Sequence, residues 1–210
     1  PTSTVRAPAC SRSSGWGGRL FAAALGLSEF GRSVSALAFA CSGYLLARLG
    51  SYPTLDAAAW LPWIVWLVHR ATERRLPRDA AWLALAVGMQ LLAGHAQTAW
   101  YTAVGAGLYM LWRVGWAQRA DPVRARIGAL AAVGLGATLG VALAAVQLVP
   151  TAGYLAESQR SGGLSFEALT NLSYHPLRLI TLFSPHFFGT PADGSYATEA
   201  FARALAQAVA

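Results

Sequence analysis

"IGALAAVGLGATLGVALAAVQLV", residues 127–149, is the longest apolar stretch of the sequence. It carries no charged side chain, and about 20 apolar residues are enough for a helix to cross the hydrocarbon core of a bilayer. The rest of the chain fits this class, since only 12% of its 210 residues are charged, where an ordinary soluble domain has about 25%. The sequence therefore predicts an all-α fold, in the form of a polytopic transmembrane helical bundle.

Shorter apolar segments precede this stretch, at residues 34–49, 57–68, 80–93 and 98–112, and a smaller apolar piece covers residues 20–27. Flanking Trp, Tyr and Arg side chains lengthen such segments by reaching the membrane interface. We therefore expect about five to six membrane segments. Pro62 lies within the first two turns of the second segment and bends it, so that segment spans either the whole bilayer or half of it.

The arginines alternate along the chain. All sixteen cations are arginine, and the gaps at 70–79 and 113–126 hold four each. The gaps at 50–56 and 94–97 hold none, and neither does the start of the loop at 150–175. By the positive-inside rule, the two arginine-rich loops are cytoplasmic and the other three loops lie outside. Because the net charge of +7 forms no continuous basic stripe, we expect the lipid bilayer and not nucleic acid as partner.

The ends of the chain differ from its middle. Residues 1–18 are rich in Ser, Pro and Gly and are expected to form a disordered lead-in. Residues 19–192 form the predicted transmembrane helical domain, in which the proline-broken stretch 175–189 suits a re-entrant or interfacial segment. Residues 193–210 form a C-terminal tail with the pattern of a short helix. No metal-ligand spacing, phosphate loop or nucleophile motif occurs, so we expect no metal and no cofactor.

Three polar residues near the predicted outer face are candidate substrate-binding residues. His95 and Gln97 interrupt two apolar segments; they either only form the turn of a helical hairpin or also contact a ligand in an outer cavity. Asp56 precedes an apolar segment and is either a helix cap or a site carboxylate. Asp79 precedes another apolar segment and is predicted to cap it.

Four more candidates lie in or after the longest stretch. Gln147 is an amide within apolar sequence, so it either hydrogen-bonds a neighbouring helix or faces a wet cavity. Glu157, Ser158 and Arg160 follow as a compact polar patch. Glu157 and Arg160 are three residues apart and either pair on one helical turn or leave Arg160 free to bind a phosphate, for which its forked donors are suited.

Four stretches occur in one order along the chain: FACSGYLLARLGSYPTLDAAAWLPW (39–63), LLAGHAQTAWY (91–101), AAVQLVPTAGYLAESQR (144–160) and LFSPHFFGTP (182–191). Together they resemble the YfhO family of bacterial polytopic membrane proteins over roughly residues 28–192. The resemblance implies a GT-C-type fold in the bacterial cytoplasmic (inner) membrane. It also implies transfer of a sugar from a polyprenyl-phosphate carrier to an envelope polymer acceptor on the outer face.

The resemblance assigns roles to some of the polar residues. It implies that Arg160 binds the carrier phosphate and that His95 and Gln97 lie near the donor or acceptor. Enzymes of this fold carry a catalytic acid in an earlier outer loop, and relatives have an acidic residue near the position of Gly153. Glu157 stands one turn further on. We therefore expect an internal fragment that is inactive alone, with its catalytic acid upstream.

Two rival functions stay open from the sequence. A transporter or flippase subunit for a lipid-linked substrate uses the same outer cavity without cleaving a bond, and it is favoured by helices broken at the bilayer midplane. A non-catalytic membrane assembly protein has outer polar residues that pair with one another and leave no cavity.

Overall fold

The computed structural model describes residues 9–157, 179–181, 183, 184 and 187. Every regular element in these residues is helical, which confirms the all-α class. The helices are α1 Ala9–Ala24, α2 Glu29–Ala40, α3 Gly43–Ala47, α4 Tyr52–Ala59, α5 Leu61–Arg74, α6 Pro77–Leu92, α7 Ala96–Trp112, α8 Val123–Leu143 and α9 Ala145–Glu157, with a π-helical turn at Arg113–Ala117. The chain divides into two compact units, residues 1–154 and 155–210, and α1 to α8 lie within the first.

Two helical stretches among the described residues are long and apolar enough to cross a membrane. They are Glu29–Ala47, which joins α2 and α3, and Val123–Leu143, which is α8. The other described helices do not meet this test of length and composition. Length and composition thus identify two candidate spans, fewer than the five to six that the apolar pattern predicts.

Proline explains why the second apolar segment is not one helix. α4 ends at Ala59 and α5 begins at Leu61. Pro62 occupies the first turn of α5, where its missing N–H leaves no hydrogen bond unmade and its fixed φ suits a helix start. The segment therefore continues through a break at Trp60. The longest apolar stretch is likewise divided, because α8 ends at Leu143 and α9 begins at Ala145.

Both predicted aspartate caps are wrong. α4 begins earlier than the apolar pattern indicated, with Ser51 at the N-cap position and a proline in its first turn, so Asp56 lies inside the helix and is exposed. Asp79 lies within the first turn of α6, which starts at Pro77. In both cases proline can begin a helix before the first apolar residue.

The predicted disordered lead-in is corrected for residues 9–18, which belong to α1. The glycines of this stretch predicted disorder, but in the structure they allow close packing between helices. A Cβ on Gly17 would lie 2.9 Å from the indole ring of Trp63, and one on Gly18 would lie 3.8 Å from Ala36. α1 therefore packs against α5 and α2, and at Gly17 its contact with α5 leaves no room for a larger residue.

Small residues also join α6 to α8. A Cβ on Gly136 would lie 2.9 Å from the Ala80 carbonyl oxygen, and one on Gly140 would lie 2.7 Å from the Val87 Cβ. Residue numbers rise together along the two helices, so α6 and α8 run parallel. Such close backbone approach is typical of helix pairs in membranes.

The distribution of side chains is inverted relative to a soluble protein. Several polar residues are buried, among them Thr72, Asp79, Gln90 and Thr102. Large apolar residues are exposed instead: Leu108 is 63% exposed, Trp100 66% and Ile127 60%. Soluble monomers do not expose such extensive apolar surface. This arrangement suits a bundle whose outer faces meet hydrocarbon.

Candidate functional site

The polar residues gather in two regions of the first unit. Ion pairs join residues 70–79 to residues 113–126, and we call these two stretches the arginine-rich end. Arg75 Nη2 lies 2.5 Å from Asp121 Oδ2, and Arg113 pairs with Glu73. The second region surrounds residues 94–97, which we call the GHAQ turn. The two arginine-rich gaps thus lie together, joined by these ion pairs.

The GHAQ turn is a tight connection between α6 and α7. Gly94 has φ +79°, a left-handed conformation that glycine adopts without strain and that commonly ends a helix. His95 caps α7: its Nδ1 accepts from the Thr98 N–H at 3.2 Å and lies 2.8 Å from the Thr98 hydroxyl. Gln97 is exposed, and its Nε2 donates to the Tyr101 hydroxyl at 2.7 Å. Both predicted site residues therefore have a partner on α7 itself.

Gln147 lies against the same turn. A Cβ on Gly94 would be 3.5 Å from Gln147 Nε2, so the Gln147 amide lies beside the glycine that follows α6. Gln147 is half-buried. The structure thus brings three of the predicted residues, His95, Gln97 and Gln147, to one turn.

Four predicted residues remain: Asp56, Glu157, Ser158 and Arg160. Asp56 lines a separate groove of about 710 Å³ between α4, α5 and α6, together with Trp60 and Trp63. Glu157 is the exposed last residue of α9 and belongs to the second unit. Ser158 and Arg160 lie outside the described residues, as do most of the segment 175–189 and the tail 193–210.

Gln90 is a polar residue of this region that the sequence analysis missed. It is only 3% exposed. Its Nε2 donates to the Ala57 carbonyl oxygen at 2.8 Å and to the Thr102 hydroxyl oxygen at 2.9 Å. Thr102 in turn donates to the Thr98 carbonyl oxygen at 3.0 Å. Gln90 therefore links α4, α6 and the first turns of α7, and the signal for it was the same as for Gln147, a lone amide in apolar sequence.

An apolar groove extends from the GHAQ turn between α7 and α8, and we call it the α7–α8 groove. Its volume is about 560 Å³. Its walls hold small residues (Ala99, Ala103, Gly107, Gly134 and Ala137) and larger apolar ones (Trp100, Met110, Leu130 and Val141). Its floor is formed by α5 and α6, with Val68 and Val87 among the lining residues. From Ala96 to Met110 on α7 it extends about 21 Å, at ~1.5 Å per helical residue.

The polar groups in the α7–α8 groove are few and already paired. Gln90 and Thr102 line it, and they hydrogen-bond each other. A long apolar groove with few polar groups suits a hydrocarbon chain. Among the described residues, no group of His, Cys, Asp and Glu is arranged to hold a metal ion.

Comparisons with protein-family models, with curated proteins and with solved structures find no match to this chain.

Proposed function

We propose that this chain belongs to an integral-membrane, glycosyltransferase-like protein. It would transfer a sugar from a polyprenyl-phosphate carrier to a cell-envelope acceptor on the outer face of the membrane. The observation that carries the proposal is the α7–α8 groove, whose apolar walls end at the GHAQ turn. A polyprenyl chain needs such an apolar path, and its phosphate and sugar need polar groups at one end of it.

Two observations support the membrane part of the proposal. α6 and α8 run parallel, as two crossings joined by one returning helix do, and the bundle exposes large apolar side chains. In this proposal five helical units cross the membrane: α2 with α3, α4 with α5, α6 alone, α7 alone and α8 alone. α1 is a sixth membrane segment. α6 has 16 residues and covers about 24 Å. α7 and the π-helical turn together cover residues 96–117, about 33 Å. The arginine-rich end would be cytoplasmic and the GHAQ turn would face outward.

The chemistry would take place near the GHAQ turn. The carrier chain would occupy the α7–α8 groove and place its phosphate beside His95, Gln97 and Gln147. Gln97 is exposed, so it can exchange its bond to Tyr101 for a sugar hydroxyl. Inverting transfer needs a carboxylate base on the acceptor hydroxyl and a cation for the leaving phosphate. The resemblance assigns that cation to Arg160, which lies outside the residues that the structure describes.

A non-catalytic assembly protein is the second candidate, and one observation favours it. Its outer polar residues should pair with one another, and His95 and Gln97 both have partners on α7. It also requires that no cavity be present near them, which the α7–α8 groove does not favour.

The breaks between α4 and α5 and between α8 and α9 lie close to the GHAQ turn region and not midway along the bundle, which gives a transporter no added support.

A blocking substitution in the α7–α8 groove tests the proposal. Gly107 lines the groove, whereas Gly105 on the same helix does not, and a Cβ on either meets no described atom within 4 Å. The protein in lipid nanodiscs is assayed for sugar transfer from a polyprenyl-phosphate donor. We expect Gly107→Leu to slow transfer strongly and raise the KM for the donor, while Gly105→Leu keeps the parental rate.

The outcomes separate the candidates. Equal activity of Gly107→Leu and Gly105→Leu would exclude the α7–α8 groove as the carrier site. Binding of the donor without transfer, blocked by Gly107→Leu, would favour a carrier-binding protein without catalysis. An active parent whose His95→Ala and Gln97→Ala variants keep the full rate would remove these two residues from the site.

A further inference from the structure

A second pocket lies at the arginine-rich end, between the last turns of α1 and the C-terminal half of α5. Its volume is about 420 Å³. The α1 wall is apolar and includes Leu20 and Ala23, while the α5 wall carries Trp66, Arg70 and Arg74. The pocket is thus amphipathic, with hydrocarbon on one side and guanidinium groups on the other. We call it the α1–α5 pocket.

The two arginines differ in their contacts. The Arg70 guanidinium lies 4.7 Å from the centre of the Trp66 ring, and its Nη2 is held 2.5 Å from the buried Asp79 carboxylate. These contacts fix the guanidinium plane in advance. Arg74 is one helical turn further on and exposed, and among the described residues it makes no hydrogen bond or ion pair. It is free to bind a ligand.

One positive charge at the α1–α5 pocket has no ion-pair partner among the described residues. Glu73 also lines the pocket, but it is paired with Arg113. Asp79 neutralises Arg70 in the same way. Arg74 therefore supplies the unbalanced charge. A phosphodiester carries a single negative charge and matches it.

The backbone carbonyl groups at the end of α1, which could repel an anion, already accept hydrogen bonds. Backbone N–H groups of the following turn already bond them: Leu25 to Phe21 at 3.1 Å, Gly26 to Ala23 at 3.0 Å and Leu27 to Ala22 at 3.1 Å. These bonds satisfy acceptors that a helix C-terminus would otherwise leave open. The charged side chains that line the pocket are Arg70, Glu73 and Arg74.

We propose that the α1–α5 pocket binds the phosphodiester headgroup of an anionic phospholipid. The phosphate lies between Arg70 and Arg74, and an acyl chain runs against Leu20 and Ala23. Basic pockets between helices on the cytoplasmic side are suited to such headgroups, and the Trp66 ring is suited to the headgroup boundary. The proposal rests on the membrane location in the proposed function, and it is independent of sugar transfer and of the α7–α8 groove.

Native mass spectrometry of the full chain in detergent tests this site. Phosphatidylglycerol, phosphatidylcholine and soluble glycerol 3-phosphate are added in separate titrations. The test variant is Arg74→Gln, and the control is Arg78→Gln, an exposed arginine in the first turn of α6 that does not line the pocket. We expect the parent to bind phosphatidylglycerol over phosphatidylcholine, Arg74→Gln to weaken this binding about fivefold, and Arg78→Gln to leave it unchanged.

Each outcome has one meaning. Equal loss in both variants, or no preference for phosphatidylglycerol, overturns the site. Competition by glycerol 3-phosphate as strong as that by phosphatidylglycerol keeps a phosphate site but overturns its assignment to a lipid. Purification of the folded chain without detergent would overturn the membrane location on which the site rests. If the parent chain binds phosphatidylglycerol but transfers no sugar, only the proposed function is overturned.

Discussion

Glycines on opposite faces of α8 have different surroundings. On the α6 side, Gly136 and Gly140 are buried and let two backbones approach closely. On the α7 side, Gly134 faces the α7–α8 groove, where no described atom lies within 4 Å of a Cβ built on it. The same residue type closes one helix interface and leaves the other open. Small residues therefore permit close packing only where the partner helix supplies matching bulk, as Val87 and Leu83 do on α6.

The largest expected effect is on the closed face. In Gly140→Ala the new Cβ would lie 2.7 Å from the Val87 Cβ and 2.9 Å from the Ala84 carbonyl oxygen, so the backbones must separate. We expect the free energy of unfolding to fall by about 3 kcal/mol. Reversible unfolding in mixed detergent measures it. A change of less than about 1 kcal/mol would show that α6 and α8 do not pack as described.

An intermediate effect is expected at Gln90, which lies at the border between the closed interface and the groove. Gln90→Ala leaves the Thr102 hydroxyl and the Ala57 carbonyl without their bond from Nε2. We expect a loss of about 2 kcal/mol in the free energy of unfolding. Gln97→Ala is the matched control, because its amide is exposed. Equal stability of the two variants would argue against the buried amide network.

The smallest effect, of opposite sign, is expected on the open face. In Gly134→Ala the methyl group enters free space, and alanine favours a helix over glycine by about 0.5–1 kcal/mol. The free energy of unfolding should rise by about this amount. The same assay as for Gly140→Ala compares the two glycines directly. A clear destabilisation by Gly134→Ala would mean that the groove is filled by protein.

Apolar periodicity predicted the helical class and the position of the GHAQ turn, because Gly94 and the polar residues after it end one apolar run and start another. It did not predict the bounds of α4 and α6, since Ser51 and Pro77 start helices before the apolar residues begin. It also gave the wrong state for residues 9–18. Glycine in α1 serves packing against Trp63, and composition cannot distinguish that role from flexibility.

The candidate site was predicted only in part. A lone amide in apolar sequence marks a polar contact, and this rule would have identified Gln90, whose amide bonds to α4 and α7. Gln147 lies beside Gly94, and its polar contact stays a prediction. The sequence could not show that Asp56 lines a different groove, because the face on which a residue lies depends on where its helix begins. The α7–α8 groove depends on the spacing of two helices, which no single segment encodes.

Photocrosslinking of the carrier tests the central claim most directly. A polyprenyl phosphate with a diazirine along its chain is irradiated with the protein in nanodiscs, and the modified residues are mapped by peptide mass spectrometry. We predict adducts on the groove-lining residues of α7 and α8, such as Ala103 and Gly134, which are lost in Gly107→Leu and kept in Gly105→Leu. Adducts spread over the outer faces of α2 and α8, unchanged by Gly107→Leu, would contradict a carrier site in the α7–α8 groove.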